Sequence, residues 1–292
     1  MTDPWARPPQ QPGPPQPAPG VAPTPTGFPP GSAPGVPPEE GSSLPAKFKK
    51  LFSDPLSIGL VVVIVVALSL AGALGGELYA RSRADSIVAG VVECVVQDDA
   101  TASFGVLPPF LLQHMTGHYT NIRIETAGNQ VREAKGMKVH LDINDVRLED
   151  TATSSGTVGS LVANISWSTE GIKQTIQGAI PLVGSFVTGV STNPSAGTIE
   201  LEGALGSITA RPQVVNGGIA LQVQQVTGLG FTLPRETVQP ALDAFTATLT
   251  EDYPMNIKAD SVQVTETGVV SQFSTRNASM PKQTEDPCFG VV

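Results

Sequence analysis

Hydrophobic and polar residues follow three different patterns along the 292-residue chain. Residues 1–46 show no period of apolar positions. Residues 56–76 are a continuous apolar run without a charged residue, which matches the roughly 20 residues that a helix needs to cross a bilayer. From residue 81 onward, short stretches alternate apolar and polar residues, as half-buried β-strands do. The pattern therefore predicts a tail (1–46), a transmembrane helix (56–76) and one further domain (81–292).

Two stretches of the domain share an interrupted alternation. In 139–148 and in 219–226, three apolar residues alternate with polar ones, and the pattern then slips by one position. An inserted residue forms a β-bulge, which bends a strand and restores its facing, so we predict curved antiparallel strands with bulges at Asn144-Asp145 and Gln224-Gln225. The apolar residues placed on one face of these strands are Val139, Leu141, Ile143, Ile219, Leu221 and Val223.

Helical spacing of apolar residues precedes the strands and recurs between them. Five aliphatic residues in 87–95 lie three or four apart, and Asp85 or Ser86 suits the cap of such a helix. The β-branched content leaves a strand as the alternative for its second half. Shorter helices are predicted over 169–177 and 240–250, the latter with a proline at its first position. The predicted fold class is α+β, a long curved antiparallel sheet around one or more helices.

Composition sets the N-terminal tail apart. Sixteen of the 27 prolines lie in residues 1–45, so the tail lacks the apolar residues that a folded core needs. We expect a disordered, solvated tail, and a ligand for a cytoplasmic proline-binding partner is the alternative. Lys47, Lys49 and Lys50 form a basic segment, 47–55, before the apolar run. Their excess predicts a cytoplasmic tail and a domain outside the cell membrane.

Two cysteines, Cys94 and Cys288, both follow the apolar run. In an oxidising compartment they would close almost the whole domain into one loop and hold the end of the chain. A disulfide is therefore predicted, with two separate buried thiols as the alternative. A lone pair of cysteines in a chain of this size does not indicate a metal site.

The charge of the domain limits its partners. Residues 81–292 carry 13 Lys and Arg against 21 Asp and Glu, a net charge of −8, without a basic stripe. This composition argues against binding of nucleic acid. It also argues against a polybasic grip on an anionic membrane surface. Contact with lipid is therefore expected to be apolar.

No arrangement of residues indicates catalysis, a resident cofactor or a metal. His114 and His118 lie four apart in HMTGH, but the glutamate of a zinc-binding HExxH motif and a third ligand are missing. No serine lies in a G-x-S-x-G context, and VTGLGF lacks the third glycine of a nucleotide-binding loop. The acidic residues around Asp142 and Asp145 are expected to form a solvated strand face. The domain is predicted not to be an enzyme.

Large apolar residues also occur where no strand face accounts for them. Three loop-like stretches, 104–115, 179–190 and 229–233, mix bulky apolar residues with Pro or Gly. They could line the mouth of a cavity enclosed by a curled sheet, or they could dip into a bilayer. Ordinary packing over the core is the third interpretation. The pattern alone does not decide among the three.

An ordered set of segments carries a resemblance to a known family. GVLPPFLLQHMTGHYTNIRIET begins at Gly105, and KVHLDINDVRLED, GFTLPRETVQPALDAF and YPMNIKADSVQVTETGVV follow it. Over about residues 80–282, their order and spacing resemble the LmeA-like family of actinobacterial envelope proteins. Gly105, Pro109-Phe110-Leu111 and Gly117 look like the first glycine, the Pro-Phe-Leu patch and the strand-starting glycine of that family.

The resemblance implies an envelope protein that binds phospholipid in an apolar cavity between a curved sheet and a helix, similar to tubular lipid-binding domains. Phospholipid or a fatty acyl ligand would be bound in place of a cofactor, and membrane phospholipid and envelope-biosynthesis proteins would be the partners. A non-catalytic envelope scaffold whose tail recruits a partner is the alternative. Besides the strand faces above, the residues expected to contact acyl chains are Phe104, Leu107, Phe110, Leu111, Leu112, Met115, Leu182, Phe186, Phe231 and Phe245.

Overall fold

The computed structural model of the protein describes residues 55–179, 187–250, 254–282 and 287–289. The predicted tail and nearly all of the basic segment lie outside these ranges. The chain divides into two units, Met1–Val61 and Val62–Val292. Of the first unit, residues 55–61 are described, and they form the start of a helix. The second unit holds the other elements.

The described helices and strands are numbered in chain order. The helices are α1 (Pro55–Val96), α2 (Phe110–Thr116), α3 (Thr169–Ala179) and α4 (Gln239–Thr250). The first strands are β1 (Ala100–Phe104), β2 (His118–Thr126), β3 (Gln130–Val131), β4 (Ala134–Lys135), β5 (Met137–Leu148) and β6 (Ser154–Ser168). The later strands are β7 (Val187–Asn193), β8 (Thr198–Gly203), β9 (Gly206–Val215), β10 (Gly218–Gly228), β11 (Phe231–Leu233), β12 (Lys258–Thr265) and β13 (Gly268–Pro281). Short 3-10 turns lie at Arg235–Thr237, Pro254–Asn256 and Pro287–Phe289.

The strands form two large antiparallel sheets and a small hairpin of β3 and β4. The six-stranded sheet has the order β1-β2-β5-β6-β13-β12, and the five-stranded sheet has the order β11-β10-β9-β8-β7. The two sheets meet at β12, where the Ala259 amide donates to the Gly217 carbonyl at 2.8 Å. The Thr192 hydroxyl also donates to the Glu266 carbonyl at 3.1 Å. The predicted α+β class with a long antiparallel sheet is confirmed.

Helix α1 runs for 42 residues without a break, a length of about 63 Å. In the described part of the chain, it is the one helix long and apolar enough to cross a membrane. The helix predicted around 87–95 is present, but it is the second half of this longer helix, and the strand alternative is wrong. Asp85 and Ser86 cap no helix start, because the preceding turn already supplies carbonyl partners to the amides there.

Of the two predicted β-bulges, the one in β10 is present, and the one in β5 is wrong. Against β6, β5 keeps one register from Met137 to Leu148, because Asp145, whose φ is +54°, and the opposite residue Gly159 are both unpaired. Against β9, the register of β10 skips Gln224. A Cβ added to Gly159 of β6 would lie 2.7 Å from the Asp145 Cβ, so glycine opposite Asp145 permits this irregularity without an inserted residue. The bulge keeps the apolar residues of β10 on one face of its sheet.

The core lies on one face of the six-stranded sheet, which we call the inner face. Ala80 and Ala84 of α1 pack against it, so the second half of α1 covers part of this face. Leu141, Ile143 and Ile219 also pack against it, but they remain half-buried. The buried residues of the core are Phe110, Tyr119, Val146, Val158, Leu161, Ala163, Ala259 and Phe273.

The predicted disulfide joins Cys94 and Cys288. Cys94 lies in the last turn of α1, and Cys288 lies in the 3-10 turn near the end of the described chain. Their Cα atoms are 5.7 Å apart, across 194 positions of sequence. The bond therefore ties the end of the domain back to the helix that begins it.

Candidate functional site

Glu77, the first charged residue after the apolar run, binds the start of α2. Its carboxylate accepts the backbone amide of Phe110 and, at 3.0 Å, the amide of Leu111. A carboxylate is favourable at this position because the first amides of a helix lack partners within the helix. Four residues later, the Arg81 guanidinium donates to the Gly105 carbonyl at 3.1 Å and to Glu77 at 3.3 Å.

Asp85 extends this set of contacts by one more turn of α1. Its carboxylate accepts the Phe104 amide of β1 at 3.0 Å. Three polar residues spaced four apart on α1 therefore bind backbone groups of the segment 104–111. Spacing alone would not have singled them out, because their partners lie 19 to 34 positions away in sequence.

Phe110 and Gln113, on the buried side of α2, bind this helix to the rest of the domain. Phe110 is 5% exposed, and its ring lies 5.1 Å from that of Phe104 and 6.1 Å from that of Tyr119. The Gln113 amide nitrogen donates to the Gly105 carbonyl at 3.1 Å and to the Pro108 carbonyl at 2.6 Å. Its amide oxygen accepts the Thr120 amide at 3.0 Å. Gln113 is almost fully buried, and the sequence analysis missed its role because it lies among bulky apolar neighbours.

The remaining apolar residues of this segment face outward. Leu107 and Met115 are 80% and 83% exposed, and the others are exposed to a lesser degree. They lie on the loop before α2 and on the outer side of α2, away from Phe110. We call this set the α2 surface, and its members are Val106, Leu107, Leu111, Leu112 and Met115.

Of the residues predicted to form the wall of a cavity, Leu141 and Ile143 of β5 pack against the core on the inner face. Ile219 of β10 packs against the same core, and we call its side of the five-stranded sheet the inner face of that sheet. Val139, Leu141 and Ile143 of β5 are half-buried, as are Ile219 and Leu221 of β10. Val223 differs, because at 1% exposure it is one of the most buried side chains of the described part.

A second exposed apolar group lies at one end of the five-stranded sheet. Leu205 lies in the turn between β8 and β9, and its carbonyl accepts a hydrogen bond from the Leu229 backbone amide at 2.8 Å. We call this group the tip surface: Leu205, Leu229, Phe231 and Leu233, all exposed. The predicted contact Phe231 therefore lies in the open. Leu182 and Phe186 fall outside the described residues, and Phe245 lies on α4 with its side chain outside the described part.

The histidines bind separate partners. His114 Nδ1 lies 2.9 Å from the Tyr119 hydroxyl, and His118 Nε2 lies 2.5 Å from Asp145. The hydrogen bond with His118 lowers the pKa of Asp145, and the nearby Arg147 guanidinium contributes in the same direction. Among the described residues, no group of three or more His, Cys, Asp and Glu side chains has the arrangement of a metal site.

Two concavities lie on the outer, polar face of the six-stranded sheet. Their volumes are about 420 and 470 Å³. They share Asp260 and Arg276, and the first also includes Val162 of β6. Their largely polar lining suits water or a small polar molecule better than an acyl chain. The half-buried apolar residues lie on the opposite face.

The chain is similar in sequence to one protein family and to mycobacterial proteins. A family described as LmeA-like phospholipid-binding matches residues 71–274. Uncharacterized proteins of Mycobacterium bovis and Mycobacterium tuberculosis are each 52% identical over 255 residues, which cover 87% of this chain and 73% of the relative. No solved structure matches the chain. The family match begins inside the apolar run and ends within β13, so it includes the α2 surface and the inner sheet face.

Proposed function

Because the chain belongs to the LmeA-like phospholipid-binding family, we propose that it is a membrane-anchored lipid-binding protein of the cell envelope and not an enzyme. The observation that carries this proposal is the unbroken course of α1 from the apolar run into the domain. Residues 56–76 cover about 31 Å of helix, the thickness of the hydrocarbon core of a bilayer. Residues 77–96 then run along the domain, so no linker separates it from the bilayer.

The domain lies outside the cytoplasm in this proposal. The disulfide between Cys94 and Cys288 supports an oxidising compartment. The lysines before the apolar run support a cytoplasmic tail. Residues 1–46 would then form the cytoplasmic tail, and 81–292 would form the extracytoplasmic lipid-binding domain of a single-pass protein.

Acyl chains of the bound phospholipid would lie against the half-buried residues of the inner sheet faces. Leu141 and Ile143 of β5 and Ile219 of β10 supply apolar surface there. Removal of each methylene from water contributes about 0.8 kcal/mol, so apolar contact alone holds a chain of ordinary length. Leu182, Phe186 and Phe245 remain proposed contacts on the sequence pattern. Transfer of the lipid to an envelope-biosynthesis protein would be a further step of the same function.

The test uses the domain without its apolar run, residues 77–292, expressed in an oxidising compartment and analysed for bound lipid by mass spectrometry. We expect phospholipid to co-purify with the wild-type domain. Leu141→Gln puts a polar group on the inner face and should reduce the bound lipid several-fold. Val162→Gln is the matched control, because Val162 is also half-buried on the neighbouring strand but lies on the outer face.

Two results would contradict lipid binding at this face. One is a folded wild-type domain that carries no lipid and takes up none from liposomes. The other is an equal loss of lipid in Leu141→Gln and Val162→Gln, which would show that the inner face has no special role. Circular dichroism of each variant establishes that the domain is folded.

A non-catalytic scaffold is the second candidate, and the tip surface favours it. Large exposed apolar groups such as Leu205, Leu229 and Phe231 often mark protein–protein contacts. In this role the Pro-rich tail would recruit a cytoplasmic partner. Deletion of residues 1–46 separates the two candidates, because it should leave lipid binding intact and abolish only the recruitment of a partner.

A further inference from the structure

We propose that the α2 surface inserts into the interfacial region of the same bilayer that α1 crosses, on the side of Gly76. The domain would then contact the membrane through both α1 and α2, which would fix its orientation relative to the bilayer. The proposal rests on the proposed function in one respect, namely that α1 spans a membrane. It does not depend on where in the domain a lipid is bound.

The position of α2 relative to the apolar run is the first argument. Glu77 directly follows Gly76, and its carboxylate binds the amides of Phe110 and Leu111. A bilayer has a hydrocarbon core of about 30 Å and interfacial regions that bring it to about 40–45 Å, so each interface is several ångströms deep. Direct contact with Glu77 therefore places the first turn of α2 at the level where the hydrocarbon ends.

The composition of the segment is the second argument. No charged residue occurs from Thr101 to Tyr119, although the domain as a whole is acidic. Leu107 and Met115, the most exposed residues of the α2 surface, would face water if no partner covered them. Interfacial helices bury this kind of apolar face at the boundary between headgroups and acyl chains. An uncharged, apolar surface also suits a negatively charged domain, which anionic headgroups repel.

The fixed orientation of α2 is the third argument. Phe110 and Gln113 occupy its inner side, with Phe110 against Phe104 and Tyr119 and Gln113 bonded to three backbone groups. A rotation of α2 that turned Met115 inward would break all of these contacts. The α2 surface therefore cannot close over the core, and the bilayer next to Glu77 is the apolar partner within reach.

The test uses the full chain reconstituted in vesicles of phosphatidylcholine and phosphatidylglycerol, with either ordinary or brominated acyl chains. Met115→Trp reports on the α2 surface. Val270→Trp is the control, because Val270 is exposed on β13 near the turn from β12, at the end of the sheet away from α2. Trp5 and Trp167 are present in both variants, so their emission is subtracted with the wild-type spectrum.

We expect the added emission of Met115→Trp to shift to shorter wavelength and to lose most of its intensity in brominated vesicles. The Val270→Trp emission should be the same in both kinds of vesicle. Leu112→Trp, on the same surface, repeats the measurement if Met115→Trp does not fold. If the emission from position 115 is not quenched by brominated lipid, the proposal is wrong. A long emission wavelength would then show that the position faces water, and a short one that a protein partner or a second copy covers it.

A separate readout distinguishes this proposal from the proposed function. Alkaline carbonate removes proteins that are only attached to a membrane surface and leaves proteins that span it. If carbonate releases the wild-type chain, α1 does not span the bilayer, and both proposals fail. If the chain stays in the vesicles while position 115 is unquenched, the anchor holds and only the insertion of the α2 surface is wrong.

Discussion

Phe110 and Leu107 lie three residues apart in one apolar segment, yet they meet opposite surroundings. Phe110 is 5% exposed among the rings of Phe104 and Tyr119, while Leu107 is 80% exposed. At the scale of single residues, the apolar side chains within 104–115 therefore play two different roles. Phe110 holds α2 to the core, and its neighbours on the α2 surface contact what lies outside.

This division predicts unequal effects on stability. Phe110→Ala should lower the free energy of unfolding by about 3–5 kcal/mol, because it removes a ring from a packed core. Leu107→Ala should change it by no more than about 0.5 kcal/mol, since it removes no buried contact. Chemical denaturation of the full chain in detergent measures both. Similar losses in the two variants would mean that the outer side of α2 is packed against the protein.

Asp98 supports a prediction about pH. Its carboxylate accepts the backbone amides of Gly128, Asn129 and Gln130 and the side-chain amide of Asn129. Burial opposes ionisation, but the side-chain donor of Asn129 and the three backbone donors outweigh it and lower the pKa of Asp98. A carboxylate with a lowered folded-state pKa stabilises the fold above its unfolded pKa of about 3.9. The contribution is lost as the pH falls from that value through the folded-state pKa.

Asp98→Asn should therefore lower the melting temperature at pH 7, and its difference from the wild type should shrink below about pH 4. Thermal unfolding in detergent across this range measures the difference. Asp99→Asn, at the exposed neighbouring position, is the control and should melt close to the wild type at every pH. A difference between Asp98→Asn and the wild type that is constant with pH would show that the ionised form is not the one stabilised.

At the scale of elements, the packing of α3 depends on a backbone contact. A Cβ added to Gly171 of α3 would lie 2.2 Å from the Lys135 carbonyl oxygen and 2.7 Å from the Gly136 Cα. Gly136 itself has a φ of +62°, a conformation that glycine adopts without strain. Both glycines are therefore required where α3 crosses the chain between β4 and β5.

Two alanine substitutions in this helix should have opposite effects. Gly171→Ala should destabilise the domain by about 1–3 kcal/mol or more, because backbone atoms would have to move. Gly178→Ala, on the same helix, meets no atom within 4 Å and should stabilise it by about 0.5–1 kcal/mol through helix propensity. Melting temperatures of the two variants give the comparison. A loss of stability in Gly178→Ala equal to that in Gly171→Ala would contradict the contact.

At the scale of the whole molecule, one covalent bond joins the beginning and the end of the domain. The disulfide of Cys94 and Cys288 closes a loop that contains every described strand. A bond across so long a loop mainly restricts the unfolded chain. It also holds the end of α1, whose other end enters the apolar run.

Replacement of both cysteines by serine should therefore lower the free energy of unfolding by about 2–5 kcal/mol. Denaturation of the wild type with and without a reducing agent provides the matched comparison, and reduction should have no effect on the double variant. A peptide map under non-reducing conditions identifies the bond. If the wild type is equally stable when reduced, the loop closure does not contribute.

Local pattern was sufficient for much of this protein. The apolar run, the α+β class and the bulge at Gln224 follow from periods of two and 3.6 residues, which each stretch carries by itself. The slip at Asp145 does not, because glycine on the neighbouring strand accommodates it without an inserted residue. Chain position and cysteine count were enough to predict the Cys94–Cys288 pair.

Tertiary structure decided how these pieces join. The hydrogen bonds of Glu77 with α2 and the packing of Ala80 and Ala84 against the core depend on partners that are distant in sequence. The same holds for the 104–115 segment, whose apolar residues are alike in sequence but not in surroundings. A residue's type determines that it avoids water, but which surface covers it depends on contacts formed only when the chain has folded.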